Sequence, residues 1–135
     1  MSEARGLSTA WKPRVLSIFR IMVGLLYTQH GLNKLFDFPP TAGHHSYVLF
    51  SLNPGLAALL EVVGGPLVVL GLFTRWVAFI LSGEMAVAYF MVFAPRRFYP
   101  LTTGGDLAVL YCFSFFYLFV AGGGAWSLDR LRARA

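Results

Sequence analysis

Four apolar runs, each long enough or nearly long enough to cross a lipid bilayer, constrain this chain more than anything else in it. A bilayer core is roughly 30 Å thick, so a spanning helix needs about 20 mostly apolar residues. The first run extends from Arg14 to Phe36 and is closed by Asp37 and the Pro39-Pro40 pair, which cannot continue a helix. The second covers 54–72, with Asn53 placed as an N-cap and Pro54 at the first helical position. The third covers 75–94, with Thr74 as its candidate N-cap and Pro95 as its stop, and the fourth covers 104–121 before Gly122-Gly123-Gly124. The first run lacks a small-x-small cleavage site near its end and is read as a retained helix, not a signal peptide. Within the connection from Asp37 to Asn53, Tyr47-Val48-Leu49-Phe50 is too short to span and is expected at the interface.

Composition closes off the soluble alternatives. Hydrophobic residues make up 57% of the 135 and charged residues 13%, about half the charge of an ordinary globular domain at roughly 25%. That is too apolar for a soluble core of this size and too apolar for disorder. A single cysteine, Cys112, leaves no internal disulfide and no CxxC site, and mid-span it reads as an inert small apolar residue. The fold class expected is all-α: one domain over residues 1–135, an integral membrane four-helix bundle.

Orientation follows from lysine and arginine in the short connections. Arg5, Lys12, Arg14, Arg75, Arg130, Arg132 and Arg134 fall on one side, against Arg96 and Arg97 on the other. Both termini are therefore expected in the cytoplasm, with Trp11, Trp76 and Trp126 as interfacial anchors on that side. The net charge of +5 is a consequence of topology, and no nucleic-acid partner is expected.

Five charged residues and one histidine remain in the spans or at their edges: Arg20, His30, Lys34, Glu61, Glu84 and Asp106. An ionised group at mid-bilayer costs about 2.5–3.5 kcal/mol on insertion scales, so each needs a partner or a task. Depth along the helices matches Arg20 with Glu84 as a structural ion pair, His30 with Glu61, and Lys34 with Asp106. At 100° per residue, Arg20, Gly24, Tyr27, Gly31 and Lys34 share one face, with His30 at its edge and Gln29 opposite. Glu61 shares a face with Ala57, Gly64, Gly65 and Val68, small residues that admit a close neighbour. On the fourth helix Asp106 aligns with Leu110, Phe113 and Tyr117, which places this line on the same central seam. Polar pairs between membrane helices can serve packing alone, at about 0.6 kcal/mol each. Four such groups near one leaflet (His30, Lys34, Glu61 and Asp106) exceed that need and point to a proton path or a head-group site. His44-His45 is expected to be a solvated stretch, and Phe113, Phe115, Phe116 and Phe119 are expected to face lipid or core. No metal site and no cofactor motif is read from the sequence: a single intramembrane histidine does not make a haem site, and Gly122-Gly123-Gly124 lacks nucleotide-loop spacing.

These residues resemble a known family. His30-Gly31-Leu32-Asn33-Lys34-Leu35-Phe36, preceded by Arg20, is similar to the H-G-x-x-K-[LF] signature of DoxX-like membrane proteins. The likeness continues through Glu61-Val62-Val63-Gly64-Gly65-Pro66-Leu67 and Leu70-Gly71-Leu72-Phe73-Thr74-Arg75. It extends to Gly104-Gly105-Asp106-Leu107-Ala108 and to Gly122-Gly123-Gly124-Ala125-Trp126-Ser127-Leu128-Asp129, from about residue 14 to 130. Family members often carry Glu or Asn-Glu where Asp106 stands. The resemblance implies a multi-pass protein of the bacterial inner membrane. The family takes its name from the small subunit of a thiosulfate:quinone oxidoreductase, and some members resemble proteins of quinone or catechol detoxification and oxidative stress. The bundle is also similar to that of vitamin K epoxide reductase-like proteins, without their paired cysteines. Function expected from this likeness is an accessory or subunit of a membrane redox system with quinone as ligand, and whether the chain itself is an enzyme stays open. In that role His30 and Lys34 polarise a quinone carbonyl while Glu61 or Asp106 handles a proton. A membrane anchor or assembly partner of another complex is the alternative, and a small proton-coupled carrier the third reading. Expected partners are the lipid bilayer, a membrane or redox protein, and further copies of the chain.

Overall fold

The computed structural model describes residues 2–41 and 55–135. The expectations for His44-His45, for Tyr47-Val48-Leu49-Phe50 and for the Asn53-Pro54 helix start lie outside the described residues. The chain is all-helical, with no strand among the described residues. In order, the elements are α1 (Ser2–Phe36), α2 (Gly55–Leu70), α3 (Thr74–Ala88, continued by a π-helical segment, Tyr89–Phe93), α4 (Pro100–Thr103), α5 (Asp106–Ala121) and α6 (Leu128–Arg132). Two segments, Ser8–Phe36 and Thr74–Phe93, are long and apolar enough to cross a membrane, while α2 and α5 are apolar but shorter, at 16 residues each.

α1 packs along α2, α3 along α5, and α2 against α3. The first contact is close because glycines line it: a Cβ on Gly31 would stand 2.8 Å from that of Glu61, and one on Gly65 would stand 3.1 Å from Cα of Thr28. The buried face of α1 (Ser17, Arg20, Gly24, Tyr27 and Gly31) is the one expected from its periodicity, and Gln29 faces out. On α2 the buried residues include Glu61, Gly64, Gly65 and Val68, again as the pattern predicts. Tyr27, Phe115, Leu81 and Leu118 are the largest apolar side chains that are fully buried. The Tyr27 and Phe115 rings meet edge-on at 4.8 Å, a geometry that suits their quadrupoles.

α5 corrects the expected seam. It buries Ala108, Tyr111, Phe115 and Leu118, so Asp106 and the residues in line with it, Leu110, Phe113 and Tyr117, face outwards. This helix is apolar on every side, and its hydrophobic pattern therefore carries no face.

The cap of α3 is also a correction. Phe73, in the left-handed region at φ 50°, occupies the cap position and Thr74 begins the helix. The capping oxygens come from far along the chain: Phe73 N–H donates to Asp129 Oδ1 (2.7 Å) and Thr74 N–H to Asp129 Oδ2 (2.8 Å). Beyond Gly122-Gly123-Gly124 the chain folds back over this end as a latch. Ala125 N–H donates to the Pro13 carbonyl (2.9 Å), Trp126 N–H to Ser17 Oγ (3.0 Å) and Asp129 N–H to the Gly71 carbonyl (2.9 Å). Ser127 caps α6 by accepting from Arg130 N–H at 3.3 Å, and the Arg132 guanidinium lies 4.7 Å from the centre of the Phe73 ring.

Candidate ligand-binding site

Arg20 belongs to the latch, not to an ion pair with Glu84. Fully buried, it donates from Nη1 to the Gly123 carbonyl (2.8 Å) and from Nη2 to the Trp126 carbonyl (3.0 Å). Gly71, at φ 69°, passes so close to the guanidinium that a Cβ there would meet it. The cause of the mismatch is longitudinal. Glu84 stands level with Tyr27, whose hydroxyl donates to Glu84 Oε2, and Tyr27 lies seven residues, or roughly 10 Å, along α1 from Arg20.

At the other end of the helices, where α1 and α3 finish and α2 and α5 start, a half-open cavity of about 620 Å³ lies between them. That volume falls within the ordinary range of small-molecule sites, about 300–1,000 Å³. α1 contributes Tyr27, His30 and Lys34, α2 contributes Ala57 and Glu61, and α5 contributes Tyr111. α3 and its π-helical continuation supply Glu84, Ala88 and Phe93, with Arg96 just beyond. A π-helical turn widens the backbone locally and recurs at functional positions.

Three of the four residues expected to converge line this cavity, in a different pairing. Lys34 Nζ donates to Glu61 Oε1 at 2.6 Å, with 27% of the lysine side chain exposed and 2% of the glutamate. His30 is not bonded to Glu61. Its Nδ1 lies 2.9 Å from the Leu26 carbonyl oxygen, which makes Nδ1 the donor, and its ring stands edge-on to Tyr111 at 5.7 Å. Asp106 is exposed at the start of α5, is not among the cavity residues, and has no ion pair to Lys34. The pairings His30 with Glu61 and Lys34 with Asp106 therefore give way to one, Lys34 with Glu61.

The cavity also holds residues to which the sequence assigned no role there. Glu84, expected to pair with Arg20, joins the cavity instead, and Tyr27, Tyr111 and Arg96 complete it. A signal existed for Tyr27: it sits on the face of Arg20 and Lys34, and a tyrosine in an apolar helix needs a partner for its hydroxyl. No such signal marked Tyr111, because α5 shows no preferred face. Two acceptors stand out chemically. Glu61 Oε2 and Glu84 Oε1 are buried and have no hydrogen-bond partner, a state that native structures rarely leave unexplained.

The fold and the cavity thus define a small all-helical protein with two apolar helices of bilayer length and, between helix ends, a largely apolar chamber that carries a few charged side chains. The sequence profile of the DoxX family matches residues 15–94, and the chain belongs to that family. It is also similar to an uncharacterized protein of Haemophilus influenzae, with 38% identity over 122 residues covering 88% of this chain and 91% of the relative. No solved structure matches. The profile takes in α1 from residue 15, α2 and α3 with its π-helical segment, and so includes His30, Lys34, Glu61 and Glu84 but not Tyr111.

Proposed function

We propose that the chain crosses the bacterial inner membrane four times, through α1, α2, α3 and α5, with both termini cytoplasmic, and that the cavity binds the head of a quinone-class molecule in the service of a membrane redox system. Apolar side chains exposed along each long helix, such as Met22, Val63, Ile80 and Phe113, support the membrane reading, since contiguous apolar surface this extensive needs a nonaqueous solvent. At 1.5 Å per residue α2 and α5 are roughly 24 Å long, a mismatch that local thinning of the bilayer accommodates. The lysine and arginine asymmetry supports this orientation, in which the latch lies at the cytoplasmic face.

The observation that carries the site is the pair of unpartnered acceptors, Glu61 Oε2 and Glu84 Oε1, on walls shared with Tyr27, Tyr111 and Phe93. A flat ring bearing two oxygens suits such a chamber in both redox forms. As a hydroquinone it donates its hydroxyls to the two carboxylates; as a quinone its carbonyls accept from Lys34 or Tyr111. The carboxylates are also placed to receive a proton that a hydroxyl gives up. The quinone class itself is supported by the family's tie to a thiosulfate:quinone oxidoreductase.

Purified protein in lipid nanodiscs, titrated with a short-tailed ubiquinol or ubiquinone, tests this. Glu61→Gln and Glu84→Gln should each weaken binding by roughly ten- to hundredfold, the effect of losing a buried hydrogen bond to a charged group at about 1.5–3 kcal/mol. Binding unchanged in both, or absent from the wild type, overturns the reading.

A further inference from the structure

A second, smaller cavity of about 280 Å³ lies on the outside of the α2–α3 contact. Its walls are Leu56, Leu60, Val87 and Met91, together with Ala57, Glu84 and Ala88. The last three also line the main chamber. Only Glu84 among the seven is polar, and Leu56, Val87 and Met91 are each about half exposed or more on the apolar exterior of the pair. The two spaces therefore share a wall made of two alanines and one carboxylate. Small side chains make that wall thin, and a bulkier pair would part the two spaces further.

We infer that this groove is the lateral doorway and tail rest of the chamber: the ligand is a bilayer-resident molecule with a hydrocarbon tail, its polar head reaching Glu61 and Glu84 while the tail lies along Leu56, Leu60, Val87 and Met91. The inference rests on the reading of the chamber as a quinone-class site and adds the direction of approach and the requirement for a tail. Continuity carries it. A head group seated at Glu84 has an apolar, outward-leading surface on the far side of the same residue, whereas Lys34 and Arg96 bring cationic side chains to the chamber's own wall. A tail sent out between those cations would surrender its hydrocarbon surroundings; one sent through the α2–α3 groove keeps them.

Two photoreactive quinone probes decide the matter in nanodiscs, one with a diazirine on the first carbons of a decyl tail and one with it on the ring. With the tail probe, adducts should concentrate on Leu56, Leu60, Val87 and Met91, roughly tenfold over the outward residues Leu110 and Phe113 of α5, and excess untagged ligand should erase them. Ala88→Phe, which fills the junction, should lower the groove adducts by roughly tenfold in protein whose melting temperature shows it folded. If the ring probe labels Tyr27 or Tyr111 while the tail probe labels α5 as strongly as the groove, the doorway is refuted and the chamber stands. If neither probe gives adducts that untagged ligand displaces, the chamber reading and the doorway fall together.

Discussion

The two ends of the helix bundle treat their charged residues in opposite ways. At the latch end Arg20, fully buried, spends both terminal nitrogens on carbonyls of Gly123 and Trp126, and Asp129 spends both oxygens on the N–H groups of Phe73 and Thr74. Arg20 Nε and Thr74 Oγ1 remain unpartnered there, but each residue is otherwise anchored. At the chamber end two carboxylates each keep one buried oxygen without a partner, beside an open volume of about 620 Å³. Charge that is satisfied by backbone holds a fold together, whereas charge left half satisfied next to a cavity weakens the fold. The comparison therefore separates stability from function: substitutions at the latch should cost folding, and substitutions at the chamber should cost binding.

The largest effect is expected from Arg20→Met. It leaves two carbonyls without their charged donor, a loss of roughly 3–6 kcal/mol from two charge-assisted hydrogen bonds. Denaturation in mild detergent should show this, and a loss below about 1 kcal/mol would break the structural assignment of Arg20. Gly31→Leu comes next. It forces side-chain atoms into the α1–α2 contact at Glu61 and Val62, an overpacking penalty of about 1–3 kcal/mol, so it should lower the melting temperature and shift Glu61 together.

Asp129→Asn should remove about 0.5–2 kcal/mol, the usual value of an N-cap. Partial burial pushes the Asp129 carboxyl up, but the N–H groups of Thr74 and Phe73 and the Arg132 guanidinium outweigh it and hold the group below its ordinary value of 3.8. A depressed carboxyl stabilises the fold above its unfolded pKa, and the contribution disappears as pH falls through the lower folded value. The stability gap between wild type and Asp129→Asn should thus be constant from neutral pH down to about 4 and close below it. A gap that widens on acidification would contradict the cap. The smallest effect belongs to Asp106→Asn. As an exposed first-turn acid it is worth about 0.3–1 kcal/mol through the helix dipole, and quinone binding should be unchanged, which sharpens the boundary of the chamber.

How much of this was legible in the sequence differs by helix. On α1 and α2, polar and small residues alternate with bulky apolar ones, so the faces of Arg20, Tyr27, Lys34 and Glu61 could be read from period alone. α5 has sixteen almost uniformly apolar residues, and without contrast the phase assigned from Asp106 was wrong. Pairings failed where depth was counted along a helix axis without the reach of the side chain. Arg20 extends toward the helix end and finds carbonyls, which no count of charged residues anticipates, and Lys34 reaches Glu61 across the gap that Gly31 leaves. The latch was illegible for a further reason: an Asp that caps a helix more than fifty residues earlier in the chain has no local pattern. The triple glycine marked the end of α5 and nothing in its spacing announced that the chain would turn back onto Pro13 and Ser17.

One paired measurement goes to the centre of the account: unfolding free energy and quinone affinity determined on the same nanodisc preparations of wild type, Arg20→Met and the double variant Glu61→Gln with Glu84→Gln. The double variant should lose less stability than Arg20→Met, because the Lys34 side chain that parts from Glu61 is 27% exposed and water can replace the carboxylate, while its affinity collapses; Arg20→Met should lose stability while its folded fraction binds as the wild type does. A double variant that unfolds readily yet binds quinone undiminished would contradict the account.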